Sequence, residues 1–67
     1  MPYVNVQIIK GATRHQKAKL VDEITASLVN ILNKEPEHIH IVIQEIEEQN
    51  WGFGGRLTDD YRKNIEK

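Results

Sequence analysis

The sequence contains no cysteine, so disulfide bonds cannot stabilise the fold and cysteine-ligated metal sites are excluded. It also lacks an excess of charge of either sign, because nine Lys and Arg residues stand against ten Asp and Glu residues, for a formal net charge of -1. Such a balance provides no broad basic surface of the kind that holds a phosphate backbone. Nucleic acid is therefore not an expected partner.

Long apolar runs are absent as well, and no segment approaches the ~20 consecutive apolar residues that a transmembrane helix needs. The first residues lack the basic block and the apolar block of a secretory signal peptide. The lack of cysteine suits a reducing compartment. We therefore expect a cytoplasmic protein with no membrane partner.

The chain is short, and its 67 residues predict one small domain over positions 1–67. A domain of this size buries too little apolar surface to be comfortably stable without help. Because disulfides and a cysteine-based metal framework are excluded, self-association is the remaining common remedy. We expect a homo-oligomer.

The first third of the sequence predicts a strand followed by a helix. Val4, Val6 and Ile8 alternate with more polar residues, which is the period of a half-buried strand. Thr13 and Gln16 then match a capping box, in which each side chain bonds the backbone of the other. Apolar residues at spacings of three and four predict a helix with one apolar stripe, formed by Leu20, Val21, Ile24, Leu28, Ile31 and Leu32.

A second strand is predicted after the helix. The helix should end at Asn33, which tolerates a left-handed cap, ahead of Pro36. From His38 to Ile46 the pattern returns to a period of two. Strand, helix and strand make a βαβ unit with parallel strands and a right-handed crossover, so the fold class is α/β (α+β). A two-stranded sheet with one helix is not stable alone, and we expect copies of the chain to join into larger sheets.

The segment QNWGFGG follows the second strand. Its three glycines permit positive φ, so a tight turn or short hairpin is predicted that presents Trp51 and Phe53. The segment lacks the spacing of a phosphate-binding loop and the Lys-Ser/Thr that would follow it. One or two helical turns are predicted after Thr58.

Pro2 heads the first strand, where a proline donates no hydrogen bond and usually marks only a strand start. A small residue at position two normally allows the initiator Met1 to be removed, and we expect the mature chain to expose a secondary amine. An apolar surrounding lowers the pKa of such an amine, and a general base works best when its pKa is near the operating pH. Four side chains are candidate walls for an apolar pocket around it: Trp51, Phe53, Tyr3 and Ile39.

These features together resemble the 4-oxalocrotonate tautomerase family. The resemblance runs from Pro2 to about Leu57 and includes QKAKLVDEIT in the helix, VIQEI in the second strand and NWGFGG after it. It implies a βαβ subunit that usually assembles as a hexamer, a trimer of dimers. It also implies catalysis by the amino-terminal proline after methionine removal, which requires no metal or organic cofactor.

The sequence departs from the family at two binding positions. The family's dicarboxylate tautomerases carry an arginine after the glycine that ends the first strand, where this chain has Ala12, and a second arginine in the second strand, where it has His40. Both changes remove a planar cation that can grip a carboxylate bidentately, which puts a doubly charged substrate in question. Arg14 and Arg56 are candidate replacements, although either could be a solvated charge or an intersubunit ion pair.

A metal site is not predicted. His38 and His40 should point to the same side of one strand, but a zinc centre needs three or four convergent ligands. The nearest further candidates are His15, at a helix end, and Glu45, on the opposite face of the strand.

Two classes of function remain. The first is a cofactor-independent keto-enol tautomerase of a small 2-hydroxy-dienoate or enolpyruvate-like acid, with Pro2 as general base and acid; a hydratase or dehalogenase would be a variant of the same site. The residues expected to bind substrate are His40, Trp51, Arg14, Arg56 and Phe53. The second class, suggested by Ala12 and His40, is a non-catalytic oligomeric assembly module with the same fold.

Overall fold

Two parallel strands and one long helix form the body of the protein. The computed structural model describes residues 1–66, so Lys67, the last residue of the predicted domain, lies outside the described part. Strand β1 covers Tyr3–Ile9, helix α1 covers Arg14–Leu32, and strand β2 covers His40–Ile46. The two strands pair in parallel. The predicted βαβ unit is confirmed.

The apolar residues of the strands lie on one face of the sheet. The register places Val4 beside Ile41 and Val6 beside Ile43, and all four side chains are half-buried. Residues between them along each strand are exposed. The alternation expected of a strand with one covered face is therefore present in both strands, and α1 covers that face.

Both predicted ends of α1 are confirmed, because both depend on local hydrogen bonds. The Gln16 backbone N–H donates to Thr13 Oγ1 over 3.1 Å, and the Thr13 N–H donates to Gln16 Oε1 over 2.9 Å. At the other end Asn33 adopts the left-handed conformation with φ 56°, and its N–H donates to the Val29 carbonyl. The sequence signals of a capping box and a left-handed cap thus mark the helix to within one residue.

The predicted start of β2 at His38 is wrong. Pro36–His38 form a short 3-10 turn, closed by the His38 N–H donating to the Glu35 carbonyl and the Ile39 N–H donating to the Pro36 carbonyl. Proline fixes φ near the value that a helical first position needs, and this local preference outweighs the alternating pattern. His38 is thus not on the strand with His40. Among the described residues no group of three or more His, Asp or Glu side chains could hold a metal ion.

The end of the predicted apolar stripe is not covered in the protomer. Ile31 is 77% exposed and Leu32 is 50% exposed. A helix of 19 residues rises about 28 Å, whereas a strand of seven residues spans only about 20 Å, so the last turn of α1 extends past the sheet. These two side chains have no sheet of their own chain to pack on.

A single protomer has almost no interior. Its radius of gyration is 15.8 Å, whereas a compact domain of this length has about 11 Å. It exposes 5427 Å² of surface, about 1,000 Å² more than the roughly 4,400 Å² expected of a compact monomer of its mass. Among the residues whose burial is described, Thr58 alone is buried. The protomer is elongated, with extents of 49 × 24 × 15 Å.

A hairpin follows β2, as predicted. Strands β3 (Gly52–Phe53) and β4 (Arg56–Leu57) pair antiparallel across a two-residue loop. The loop residues Gly54 and Gly55 have φ of +60° and +80°, the conformation of the type I′ turn that matches the twist of paired strands.

A second helix, α2, covers Thr58–Glu66 and is longer than the one or two turns predicted. Asp59 and Asp60 lie in its first turn, where negative charge is favourable against the positive end of the helix dipole. No helix in the described part of the chain is long and apolar enough to cross a membrane.

An ion pair ties α1 to the sheet, and a backbone hydrogen bond to the same carboxylate ties the loop before α1. Glu45, on the helix-facing side of β2, accepts hydrogen bonds from Lys17 Nζ and, over 3.3 Å, from the Gly11 backbone N–H. These bonds, the one from Lys17 first, hold the pKa of Glu45 below its ordinary value of 4.5. Because the folded pKa is the lower one, the contact stabilises the fold above pH 4.5 and this contribution is lost as pH falls through the folded value.

Glu45→Gln should therefore lower Tm at pH 7, and the difference from wild type should shrink as pH falls below 4.5. Thermal unfolding followed by circular dichroism over a pH series measures this. Glu47→Gln is the matched control, since Glu47 also pairs with a lysine, Lys10, but over 3.2 Å between exposed side chains. Equal Tm losses in the two variants would contradict the assignment of this pH-dependent stabilisation to the contacts of Glu45.

Candidate active site

Pro2 is half-buried at the start of β1. Its carbonyl oxygen accepts the His40 backbone N–H over 3.1 Å, which continues the β1 and β2 ladder by one residue. A proline can take this place because the ladder needs only its carbonyl there. Pro2 is thus a strand start, and this role uses its carbonyl rather than its nitrogen.

A surface hollow of about 560 Å³ opens beside Pro2. Its lining is aliphatic apart from one phenol and one imidazole, and it is formed by Met1, Pro2, Tyr3, Val21, Ile39, His40, Ile41 and Val42. None of these lining residues is Lys, Arg, Asp or Glu. A molecule in the hollow would meet an apolar wall with two polar groups, from Tyr3 and His40.

The sequence pattern indicates some of this lining and misses the rest. Tyr3 and Ile39 were expected as pocket walls, and His40 as a binding residue; all three line the hollow. Val21 was assigned only to the helix stripe, although the stripe is the signal that turns it towards the sheet. Val42 was not expected, because nothing in a strand of alternating residues distinguishes it from an ordinary outward position.

Arg14 lies outside this hollow. It lines a neighbouring depression of about 370 Å³ together with Lys17, Ala18 and Val21, which share one face of α1. Val21 lines both depressions. Arg14 precedes Val21 by seven residues, which is about 10 Å along the helix axis, and it does not line the hollow at Pro2.

The remaining candidates form a separate group on the hairpin. Phe53 and Arg56 are cross-strand neighbours and line a depression of about 370 Å³. The Phe53 ring also packs on Tyr61 of α2, with ring centroids 4.9 Å apart. Trp51 is half-buried at the base of the hairpin, where its carbonyl accepts hydrogen bonds from Thr58.

The sheet separates this group from Pro2. Both strands run in the same direction, so Pro2 and His40 lie at one end of the sheet, and the hairpin follows Ile46 at the other end. Seven strand residues at ~3.3 Å each separate the two ends by about 20 Å. The structure thus brings His40 to Pro2, but within one chain it leaves Trp51 and Phe53 away from the hollow.

Comparison with known proteins identifies the fold and the family. The family model described as tautomerase enzyme matches residues 2–61. A protein named probable tautomerase K2, from Dickeya dadantii, is 41% identical over 64 residues, which cover 94% of this chain and 96% of that protein.

Two solved structures have the same fold. DmpI from Helicobacter pylori has a TM-score of 0.84 at 29% identity, over 92% of this chain and 97% of that one. The heterohexamer 4-oxalocrotonate tautomerase of Chloroflexus aurantiacus has a TM-score of 0.84 at 22% identity, over 90% and 97%. The family match begins at Pro2, the residue beside the aliphatic hollow, and reaches past the hairpin into α2. The chain therefore belongs to the tautomerase family.

Proposed function

We propose that this protein is a cofactor-independent keto-enol tautomerase in which Pro2, after removal of Met1, acts first as general base and then as general acid. The observation that carries the proposal is the position of Pro2, in a chain of the tautomerase family, beside an aliphatic hollow of about 560 Å³. That volume suits a small molecule. The expected substrate is a small 2-hydroxy-dienoate or an enolpyruvate-like acid.

The chemistry depends on the state of the Pro2 nitrogen. Joined to Met1 it is an amide nitrogen and not basic, whereas in the trimmed chain it is a secondary amine. The aliphatic side chains that line the hollow without Met1, those of Val21, Ile39, Ile41 and Val42, disfavour a charged ammonium, which keeps a larger share of the amine neutral. The neutral amine removes the proton of the enol hydroxyl as the carbonyl forms. The ammonium then gives a proton to the carbon at the far end of the former double bond, so atoms and charge balance.

His40 is the polar side chain proposed to bind the substrate in the hollow. Its imidazole can donate a hydrogen bond to the carbonyl or carboxylate. Within one chain, about 20 Å separates the hollow from the hairpin with Trp51, Phe53 and Arg56. We infer that the hairpin of a neighbouring copy closes the hollow and brings these residues, with Arg56 as the carboxylate partner. Arg14 is a second candidate for that role.

The proposed assembly is a homo-oligomer, and a hexamer built as a trimer of dimers is expected. The excess exposed surface of the protomer supports association, as do the exposed side chains of Ile31 and Leu32. The protein of the same fold from Chloroflexus aurantiacus is a heterohexamer. The chain has no cysteine to oxidise, which suits the reducing cytoplasm proposed as its location.

The first test combines the intact mass of the purified protein with its rate of ketonisation of phenylenolpyruvate and 2-hydroxymuconate. We expect a mass that lacks one methionine and turnover well above the rate in buffer. A control chain with an uncleaved residue before Pro2 should be inactive, since its nitrogen remains an amide. A trimmed chain that turns over no enol would refute the proposal and favour the non-catalytic assembly module.

A further inference from the structure

Thr58 is the exception in a protomer that buries almost nothing. It is 5% exposed and is polar, while every apolar side chain whose burial is described remains at least partly exposed. It lies at the point where β4 ends and α2 begins. A polar side chain is buried at low cost only if its hydrogen bonds are made, so its partners define what it does.

Both donors of Thr58 are directed to one acceptor. The Thr58 backbone N–H donates to the Trp51 carbonyl oxygen over 2.8 Å, and the Thr58 hydroxyl donates to the same oxygen over 2.7 Å. Gly52 and Leu57 form the next pair along the hairpin, so Thr58 stands opposite Trp51 at its base. Two bonds to one carbonyl use both of its lone pairs and fix the peptide unit that carries the tryptophan.

The hairpin needs this fixation because it is weak by itself. Each strand has two residues and the loop consists of two glycines, whereas an isolated two-stranded hairpin is at best marginally stable in water. Helix α2 supports it at two further points. Phe53 packs on Tyr61, and Arg62 Nη1 pairs with Glu48 Oε2 over 2.9 Å, just before Trp51.

We propose that Thr58, supported by Tyr61, is a positioning residue that holds Trp51 and Phe53 in the conformation in which they close the hollow at Pro2 of a neighbouring copy. The inference rests on the proposed function, since it gives the hairpin a part in that active site. Helix α2 then holds the hairpin in place through Thr58 and Tyr61. Thr58 itself need not touch the substrate.

Loss of the contacts that Thr58 and Tyr61 make with the hairpin should affect KM more than kcat. A mobile hairpin has to be ordered each time substrate binds, and the free energy of ordering is subtracted from binding. A wall formed by aromatic side chains contacts the substrate and the transition state alike, and loss of such uniform binding raises KM while kcat changes little. Pro2 and its proton transfer are not altered.

The test compares Thr58→Val with Thr58→Ser. Valine keeps the shape and the backbone bond but removes the hydroxyl, whereas serine keeps the hydroxyl. We expect valine to raise KM for phenylenolpyruvate about fivefold to tenfold, the effect of one lost hydrogen bond, with kcat within about twofold and serine close to wild type. Trp51 is the only tryptophan in the sequence, so its fluorescence anisotropy reports the order of the hairpin directly and should fall in Thr58→Val but not in Thr58→Ser.

A second pair of variants covers the case in which Thr58→Val fails to fold. Tyr61→Ala removes the ring that packs on Phe53, and Tyr61→Phe keeps it. The alanine variant should raise KM and lower the anisotropy of Trp51, and the phenylalanine variant should do neither. Unchanged KM and anisotropy in Thr58→Val would overturn the proposed positioning role. If Thr58→Val does not fold, the same result in Tyr61→Ala would overturn it. So would lower anisotropy at constant KM. An inactive wild type would instead refute the proposed function.

Discussion

Replacing Pro2 with alanine should lower kcat/KM for phenylenolpyruvate by about 10²-fold to 10⁴-fold, the range that a positioned general base contributes. Methionine is normally removed before alanine as well, so the variant still begins with an amine. That amine is primary and is not held by a ring at the edge of the hollow. Its pKa and its position both differ from those of the prolyl nitrogen, and both determine the rate of proton transfer. Steady-state ketonisation assays with confirmed intact masses measure the loss.

The structure makes this substitution a test of chemistry rather than of folding. The bond that joins Pro2 to the ladder runs from the His40 N–H to the Pro2 carbonyl, and alanine retains that carbonyl. We therefore expect an unchanged far-ultraviolet circular dichroism spectrum and an unchanged oligomeric state. A folded, trimmed Pro2→Ala protein with wild-type kcat/KM would show that Pro2 is only a strand start.

The pH dependence should have a definite sign. The free amine is the base, so kcat/KM should rise as pH rises through the pKa of the amino terminus and should fall on the acid side. A fall of kcat/KM on the acid side that persists in Pro2→Ala at the same pH would assign the titration to a group other than the amino terminus.

Features set by local interactions could be predicted from the sequence. The capping box of Thr13 and Gln16 and the left-handed cap at Asn33 depend on residues within one helical turn, and the structure has both. The type I′ hairpin likewise needs only its two loop glycines. The error at His38 came from competition between two local signals. Alternation suggested a strand, but the proline two residues earlier imposed a 3-10 turn.

Features set by contacts distant in sequence were predicted less completely. The apolar stripe identified Ile31 and Leu32 as side chains to be covered, but a periodic pattern does not state which chain covers them. Thr58 carried no sign of burial, because Thr before two aspartates suggests only a helix start. For the same reason, the sequence did not show that the residues expected at one site lie at two opposite ends of the sheet. His40 pairs with the strand that carries Pro2, whereas the position of Trp51 depends on the length of the sheet.

Active sites shared between chains should be revealed by mixing two proteins that are each defective in kcat/KM. One chain carries Pro2→Ala and keeps its hairpin, and the other carries Trp51→Ala with Phe53→Ala and keeps Pro2. If Pro2 of one chain is closed by the hairpin of another, equal mixing and random reassembly leave both parts intact in about a quarter of the sites. If each site used only its own chain, every site would remain defective. The distance of about 20 Å between the two parts favours the first result.

The experiment requires that subunits exchange, which native mass spectrometry of the mixed oligomers can verify. Each variant dissociated and reassembled alone is the control and should keep its low kcat/KM. A kcat/KM near a quarter of the wild-type value would show that the hairpin acts on a neighbouring site. Verified mixed oligomers without restored activity would show that the hairpin does not complete the site of another chain, and the aliphatic hollow of one protomer, with Pro2 and His40, would then have to bind its substrate unaided.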